Sequence, residues 1–178
     1  MRRISLWTSA ASICTCPRRT DTRKEPSPWG TAQSVEKVRL ELGDPGIPHA
    51  AVPIADLRDY DTAALLRLGR TLRHYPDFPK GANVNFYEII GPDHVYERTY
   101  ERGVEDFTYA CGTGTGSVVT VLTLLGKVSG KHVRVDMTGG TLYVDAERDT
   151  AGRVTDLYLT GPTNVVCKGE ITDENLIL

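Results

Sequence analysis

The feature that most constrains the fold is an apolar run, Ser117 to Leu125, which is entered directly from the glycine-threonine segment Gly112 to Gly116. The β-branched residues of this run are typical of a strand. Its length, the glycine at its end and its glycine-rich entry are typical of a buried helix. A buried helix needs the remaining elements to wrap around it, so the run predicts a core element.

The segments on both sides of this run have strand-like patterns that are separated by glycine and proline turn signals. Strands are predicted at Val38–Leu42, Ile47–Ile54, Asn83–Ile90, His94–Glu101, Val133–Met137, Thr141–Ala146, Val154–Thr160 and Asn164–Gly169. One amphipathic helix is predicted after Asp61, which can cap its N-terminus. Its apolar face carries Leu65, Leu66, Leu68 and Leu72. The predicted fold class is α+β, with several antiparallel strands around one apolar helix.

Residues 1–38 differ from the rest of the chain because they are rich in Ser, Thr, Arg and Pro and have no sustained periodicity. A secretory signal is disfavoured by a short and broken apolar stretch, and a transit-like segment has equally weak support. We predict a poorly ordered or non-homologous leader over residues 1–38 and one domain over residues 39–178. Cys14 and Cys16 form a C-x-C pair without a second pair, which predicts no zinc site.

Composition excludes several classes of function. The chain of 178 residues is 40% hydrophobic and 25% charged, with a formal net charge of −2, so nucleic acid is not an expected partner. No apolar run approaches the roughly 18 residues of a membrane-spanning helix, so no membrane partner is expected. The spacing of the four cysteines suggests no disulfide framework, and a reduced, cytoplasmic protein is predicted.

One thiol stands in a setting that suits chemistry on a small zwitterion. Cys111 lies at the mouth of the glycine-threonine segment and follows the pair Glu101-Arg102. Backbone N–H groups of such a segment can hold an anion, and we expect them, with the helix dipole, to lower the thiol pKa. A guanidinium suits a carboxylate through paired hydrogen bonds.

Other interpretations of the same residues are weaker. A dinucleotide-binding loop would need a glycine where Ser117 stands, and a P-loop would need a following Gly-Lys-Ser/Thr. Cys167 lies in an apolar run and is predicted to be a core thiol. The remaining histidines, which lack ligand-like spacing and are predicted at the surface, are His74, His94 and His132.

Five ordered motifs resemble the C-terminal half of the diaminopimelate epimerase family. They are Gly46-Ile-Pro-His49, Gly81-Ala-Asn-Val-Asn-Phe86, Thr99-Tyr-Glu-Arg-Gly103, Ala110-Cys-Gly-Thr-Gly114 and Thr160-Gly-Pro162. The resemblance implies a mixed, barrel-like sheet around a central helix in each of two similar halves. It also implies a cofactor-independent isomerase that acts on an amino acid. One cysteine from each half would work as a proton-transfer group, each at a helix N-terminus.

The resemblance also implies roles for single residues. The expected catalytic residues are Cys111, Glu101 and His49. The expected substrate-binding residues are Asn83, Arg102, Gly112 and Thr113. No metal and no cofactor are implied.

The chain departs from the family pattern at several points. The family's first half, with its own Cys-Gly-Asn-Gly loop, has no counterpart, so a truncated chain, a partner for a complementary half, or a homodimer is expected. Ile47 stands where the family usually has Asn, and Glu105-Asp106-Phe107 replaces a shorter Gly-Glu-Thr segment. The alternatives to a diaminopimelate epimerase in lysine biosynthesis are an inactive fragment or partner subunit, and a related racemase or isomerase of the same fold.

Overall fold

The computed structural model describes residues 2–7, 38–43 and 46–170. The strands are β1 (Arg2–Trp7), β2 (Val38–Gly43), β3 (Gly46–Pro53), β4 (Asn83–Gly91), β5 (His94–Tyr100), β6 (Phe107–Thr108), β7 (Val133–Met137), β8 (Gly140–Arg148) and β9 (Val154–Gly161). The helices are α1 (Thr62–Arg73) and α2 (Gly112–Leu124).

All nine strands belong to one mixed sheet. Its order is β1-β9-β8-β7-β5-β4-β3-β2, and β6 pairs with β5. Two neighbouring pairs, β3 with β4 and β5 with β7, are parallel, and the other pairs are antiparallel. Strands from both ends of this order, β2 and β9 among them, contact α2. The sheet therefore curls around one helix, which confirms the predicted α+β class.

The ambiguous apolar run is a helix, and its hydroxyl residues explain how it can be buried. Ser117 Oγ donates to Thr113 O at 2.8 Å, and Thr120 Oγ1 donates to Gly116 O at 2.7 Å. These bonds to carbonyls four residues back satisfy the hydroxyls within the helix. Valines and leucines of the same helix then pack against the inner face of the sheet.

The helix predicted after Asp61 is also present. Asp61 Oδ1 accepts from the backbone N–H of Ala64 at 2.7 Å, as an N-cap residue does. Leu65 and Leu72 pack with Phe86 of β4 and Tyr100 of β5 in a second core cluster. Strands β3 to β5 are thus covered by α2 on one face and by α1 on the other, and both of their faces are buried.

The C-terminal strand prediction is wrong. Residues 162–170 are not in a strand, and Val165 and Val166 are 71% and 91% exposed. Cys167 is exposed, so it is not the predicted core thiol. The segment cannot pair beside β9, the strand that precedes it, because β9 already pairs with β8 on one side and with β1 on the other.

Strand β1 lies inside the segment that was predicted to be a leader. It pairs antiparallel with β9 over its whole length, Arg2 opposite Gly161 and Trp7 opposite Asp156. Residues 8–37, with Cys14 and Cys16, lie outside the described residues.

The histidines predicted at the surface differ among themselves. His74 is exposed, and the exposed His132 stacks on the Tyr143 ring at 4.3 Å between centroids. His94 is half-buried, since its Nε2 lies 2.8 Å from Asp136 Oδ2. Neither helix of the described segments is long and apolar enough to span a bilayer.

Gly69 allows α1 to approach Tyr100 closely. A Cβ on this glycine would lie 2.8 Å from Tyr100 Cγ. We predict that Gly69→Ala lowers the free energy of unfolding by about 1–2 kcal/mol, since crowding outweighs the gain in helix propensity. Urea denaturation measures this change. The exposed Arg70→Ala serves as the control, with an expected change within about 0.5 kcal/mol; a more stable Gly69→Ala protein would contradict the predicted crowding.

Candidate active site

A polar patch lies on the inner face of the sheet, beneath the first turn of α2. Residues alternate between the two faces of a strand. In β4 the Val84 and Phe86 side chains therefore belong to the second core cluster, and those of Asn83 and Asn85 face α2. The buried polar residues on this inner face are His49, Asn83, Asn85, Glu97 and Thr99. Their concentration at one end of an otherwise apolar core marks a site, because burying polar groups is unfavourable.

Cys111 is the N-cap residue of α2 and lies over this patch. Its Sγ is 4.0 Å from Asn83 Nδ2 and 3.7 Å from Thr113 Oγ1. A Cβ on Gly114 would overlap Asn85 Oδ1 and lie 3.2 Å from Cys111 Sγ. Only glycine at position 114 lets the helix turn, the thiol and the asparagine meet this closely.

The expectation of a lowered Cys111 pKa is wrong. Burial raises the pKa of the thiol above its ordinary value and is the largest influence. Thr113 and the backbone N–H of Gly114 act in the lowering direction, while Glu101 and Glu97 raise the pKa further. Desolvation, together with the charge of Glu101, outweighs the helix N-terminus, so Cys111 is a thiol at neutral pH.

Glu101 and Arg102 lie in a tight turn that follows β5. The backbone N–H of Arg102 donates to Asn83 Oδ1 at 2.8 Å, which ties the turn to β4 next to the thiol. Arg102 Nη1 donates to Lys80 O at 3.1 Å. Gly103 has a φ of +91°, a conformation that favours glycine.

Glu105 holds this turn against α1. Its Oε1 accepts from the backbone N–H of Gly103 and from Arg73 Nε, both at 3.1 Å, and its Oε2 accepts from Tyr100 Oη at 3.2 Å. The Gly103 hydrogen bond is the largest influence that lowers the Glu105 pKa. Phe107 packs edge-on against Phe86 and Tyr100. The Glu105-Asp106-Phe107 segment therefore holds the Glu101-Arg102 turn against the second core cluster.

His49 reaches the patch from β3. Its Nδ1 lies 3.1 Å from Asn85 Nδ2, while its Nε2 is buried without a hydrogen-bond partner among the described residues. Burial is the main influence that lowers the His49 pKa to about 4, and the charge of Arg102 acts in the same direction. The imidazole is therefore neutral near pH 7.

Four buried residues of the patch were not predicted as site residues. Asn85, Glu97, Thr99 and Thr115 form a hydrogen-bonded group beneath Cys111. Burial, the largest influence, raises the pKa of Glu97 to about 7, although Thr115 and Thr99 lower it. A signal was available in the sequence, since Glu97 and Thr99 alternate in step with the apolar Val95 on a strand with two covered faces.

The structure brings all the predicted site residues to one end of the core. Gly112 and Thr113 form the first turn of α2, where backbone N–H groups have no partner within the helix. A Cβ on Gly112 would lie 3.0 Å from Leu159 Cδ2, so β9 borders the site there. Within the described ranges, no group of three His, Cys, Asp or Glu residues is placed to hold a metal ion.

Comparison with known proteins agrees with this geometry. The family described as diaminopimelate epimerase matches residues 43–166. The chain belongs to the diaminopimelate epimerase family. A diaminopimelate epimerase of Chlorobaculum tepidum is 44% identical over 131 residues, covering 72% of this chain and 48% of that protein. One of Leptospira biflexa is 36% identical over 126 residues, covering 71% of this chain and 41% of that protein.

The chain spans about half the length of the curated relatives that it matches. A crystal structure of a probable proline racemase from Agrobacterium radiobacter K84 with bound carbonate has a TM-score of 0.50 and 18% identity. The match covers 87% of this chain and 47% of that chain. At this identity the likeness concerns the fold, which is shared between epimerase and racemase families.

The two described cysteines offer a test of the thiol environment. We predict that iodoacetamide alkylates the buried Cys111 roughly tenfold or more slowly than the exposed Cys167 at pH 7, since the thiolate is the nucleophile. The Cys111 rate rises with pH, and Glu101→Gln increases it at a given pH by removing a charge that raises the thiol pKa. Peptide mass mapping separates the cysteines. A Cys111 rate equal to that of Cys167 at pH 7 would contradict this environment.

Proposed function

We propose that the chain supplies one half of the active site of a cofactor-independent amino-acid epimerase that interconverts LL- and meso-diaminopimelate. The observation that carries this proposal is the position of Cys111, a thiol at the N-terminus of α2, 4.0 Å from Asn83 Nδ2. Family membership supports the substrate class. Cytoplasmic lysine biosynthesis is part of the same proposal.

Cys111 is proposed as one of two acid/base groups that act on opposite faces of the substrate α-carbon. A base removes the α-proton, and the electron pair delocalises into the α-carboxylate. A thiol then donates its proton to the other face of the same carbon. The raised pKa of Cys111 suits the donor role, because the group rests in its protonated form. In the reverse direction Cys111 would be the base, with Thr113 and the Gly114 N–H stabilising its thiolate.

The first turn of α2 is proposed to hold the α-carboxylate. Gly112 and Thr113 offer backbone N–H groups at the positive end of the helix. The same donors would stabilise the charge that develops when the α-proton leaves.

The turn after β5 is proposed to bind the rest of the substrate. The backbone N–H of Arg102 donates to Asn83 Oδ1 at 2.8 Å, and Asn83 lies next to the thiol. A guanidinium favours a substrate with a second carboxylate over a monocarboxylic amino acid such as proline. Glu101 acts electrostatically on the thiol, as expected of a carboxylate that assists proton transfer. His49 is proposed as the third catalytic residue, because its buried Nε2 has no hydrogen-bond partner among the described residues.

The second acid/base group is proposed to come from a complementary half or from a second copy of the chain. Among described residues Cys111 is the thiol of this site, since Cys167 is exposed in the segment after β9. The relatives are about twice as long as the matched part of this chain. Without its complement, the chain would be an inactive partner subunit.

We predict that α-proton exchange depends on Cys111. The measurement is NMR-detected exchange from D2O into LL- and meso-diaminopimelate, under reducing conditions, with proline as the comparison substrate. The samples are the purified chain and a chimera in which residues 43–166 replace the matched part of the Chlorobaculum tepidum relative. The chimera should exchange and invert diaminopimelate, and Cys111→Ala should reduce its rate by at least about 10³-fold, since the reacting group is removed.

The control is Cys167→Ala in the full chain, which should leave any exchange unchanged because that thiol is exposed outside the site. Exchange with inversion by the chain alone would mean that a second copy completes the site. A folded chimera that exchanges only proline, or that retains activity as Cys111→Ala, would refute the proposal.

A further inference from the structure

A continuous chain of buried hydrogen bonds connects His49 to Glu97. Asn85 Nδ2 lies 3.1 Å from His49 Nδ1, and Thr99 Oγ1 lies 3.0 Å from Asn85 Oδ1. The same Thr99 Oγ1 lies 3.2 Å from Glu97 Oε1, and Thr115 Oγ1 donates to Glu97 Oε2 at 2.8 Å. The connection therefore crosses β3, β4, β5 and α2 beneath Cys111.

The orientation of the Asn85 amide fixes the direction of these bonds. Its Nδ2 faces both His49 Nδ1 and the carbonyl oxygen of Ala50, which is 3.5 Å away. A carbonyl oxygen can only accept, so the NH2 group belongs on this side and Oδ1 faces Thr99. His49 Nδ1 then accepts from Asn85, and the neutral imidazole carries its proton on Nε2.

The number of protons available to these hydrogen bonds determines whether the Glu97 carboxyl group is protonated. Thr99 has one hydroxyl proton, and among the described residues it is the donor that Asn85 Oδ1 receives. Thr99 Oγ1 can then only accept from Glu97 Oε1, which lies 3.2 Å away. An ionised carboxylate has no proton to donate, so two acceptors would face each other unless Glu97 is protonated. A proton on Glu97 satisfies the whole chain of bonds, since Oε1–H donates to Thr99 and Oε2 accepts from Thr115.

We propose that Glu97 is a positioning residue, whose carboxyl proton fixes His49 as the Nε2–H tautomer through Thr99 and Asn85. When Glu97 ionises, Thr99 turns its proton toward the carboxylate, and Asn85 Oδ1 loses its donor. The amide can then rotate, and His49 shifts toward the Nδ1–H tautomer. Glu97 thus acts on the site without reaching the substrate.

The groups around Glu97 favour its neutral form. Among the titratable side chains around Glu97, Tyr87 lies opposite it on β4 and His49 lies on β3. Cys111 lies at the start of α2, and Glu101 lies in the turn after β5. On β7 the buried residues Val133 and Val135 face inward. Arg134 and Asp136 alternate with them and lie opposite the outward-facing His94 and Tyr96 of β5. The positive charge of Arg102 acts on His49. The raised pKa of Glu97, about 7, agrees with a buried carboxyl that has no cationic partner among the described residues.

For catalysis, the consequence is a neutral imidazole whose Nε2–H has no partner within the described part of the protein. That donor would be available to the substrate carboxylate or to the developing negative charge. This consequence rests on the proposed function. The proton positions themselves do not rest on the proposed function, because they follow from hydrogen bonds within the chain.

The test follows two nuclei in the full 178-residue chain between pH 5.5 and 8.5. The 13C shift of the Glu97 carboxyl carbon reports its ionisation, and the ring 15N shifts of His49 report its tautomer. Assignment uses Glu97→Gln and His49→Gln, since the chain has four histidines. The His49 pKa of about 4 lies below this range, so a His49 change within it reports another group.

We expect Glu97 to titrate with a midpoint near 7, and His49 to be the Nε2–H tautomer at pH 5.5. The His49 shifts should change with the same midpoint. In Glu97→Gln the amide replaces the protonated carboxyl, so His49 should stay Nε2–H and lose this pH dependence completely. Thr115→Val should raise the Glu97 midpoint by removing a donor to the carboxylate. The matched control, Glu147→Gln on β8, should leave the His49 profile unchanged.

The proposal is overturned if Glu97 titrates near the ordinary value of 4.5. It is also overturned if His49 is Nδ1–H at pH 5.5, or if Glu97→Gln retains the wild-type His49 profile. If Glu97→Gln does not fold, the two wild-type titrations and Thr115→Val decide the outcome in the same way. None of these measurements depends on epimerase activity, so failure here is distinct from failure of the proposed function.

Discussion

The close approach of α2 to β4 at Gly114 is the contact on which the rest of the structure depends. A side chain at this position would overlap Asn85 Oδ1. Because the backbone can come this near, the first turn of α2 reaches the polar patch, and Cys111 lies over Asn83. The remainder of the helix then runs through the core, where the Ser117 and Thr120 hydroxyls donate to carbonyl groups of the helix itself. The curled sheet is the cover that such a helix requires.

Burial sets the protonation of the site. The pKa values of Cys111 and Glu97 are raised and that of His49 is lowered, and in each case burial is the largest influence. All three groups are therefore biased toward their uncharged forms. The charged groups, Glu101 and Arg102, lie in the turn at the border of the patch. A zwitterionic ligand would thus bring its charges to the helix N-terminus and the turn, and would leave the interior neutral.

The sequence predicted the arrangement of elements better than the chemistry between them. Alternation placed β3, β4 and β5 correctly, and Asp61 marked the start of α1, since these signals depend on local geometry. The apolar run could be either helix or strand because its valines and threonines favour strands, and the burial that makes it a helix is a property of the whole sheet. The strand prediction for the segment after β9 was wrong for the opposite reason. Its pattern suits a strand, but both sides of β9 are already paired, with β1 and with β8.

Motifs identified Cys111, His49, Asn83 and the Glu101-Arg102 turn, while Glu97 and Thr115 were overlooked. Thr115 of α2 donates a hydrogen bond to Glu97 of β5 across the core, and no local sequence pattern predicts a contact between residues so far apart in the chain. The thiol pKa was predicted in the wrong direction for a related reason. The helix N-terminus is visible in the sequence, but the burial that outweighs it is visible only in the fold.

The proposed function requires the first turn of α2 and the adjacent turn after β5 to bind a dicarboxylic amino acid. The most direct measurement is a titration of the 15N-labelled chain with meso-diaminopimelate, followed by amide shifts, with lysine as a ligand that lacks the second carboxylate. We expect saturable shifts at Gly112, Thr113 and Arg102 with diaminopimelate, and a smaller response at Arg102 with lysine. Shifts that avoid the first turn of α2, or equal responses at Arg102 to both ligands, would contradict this claim.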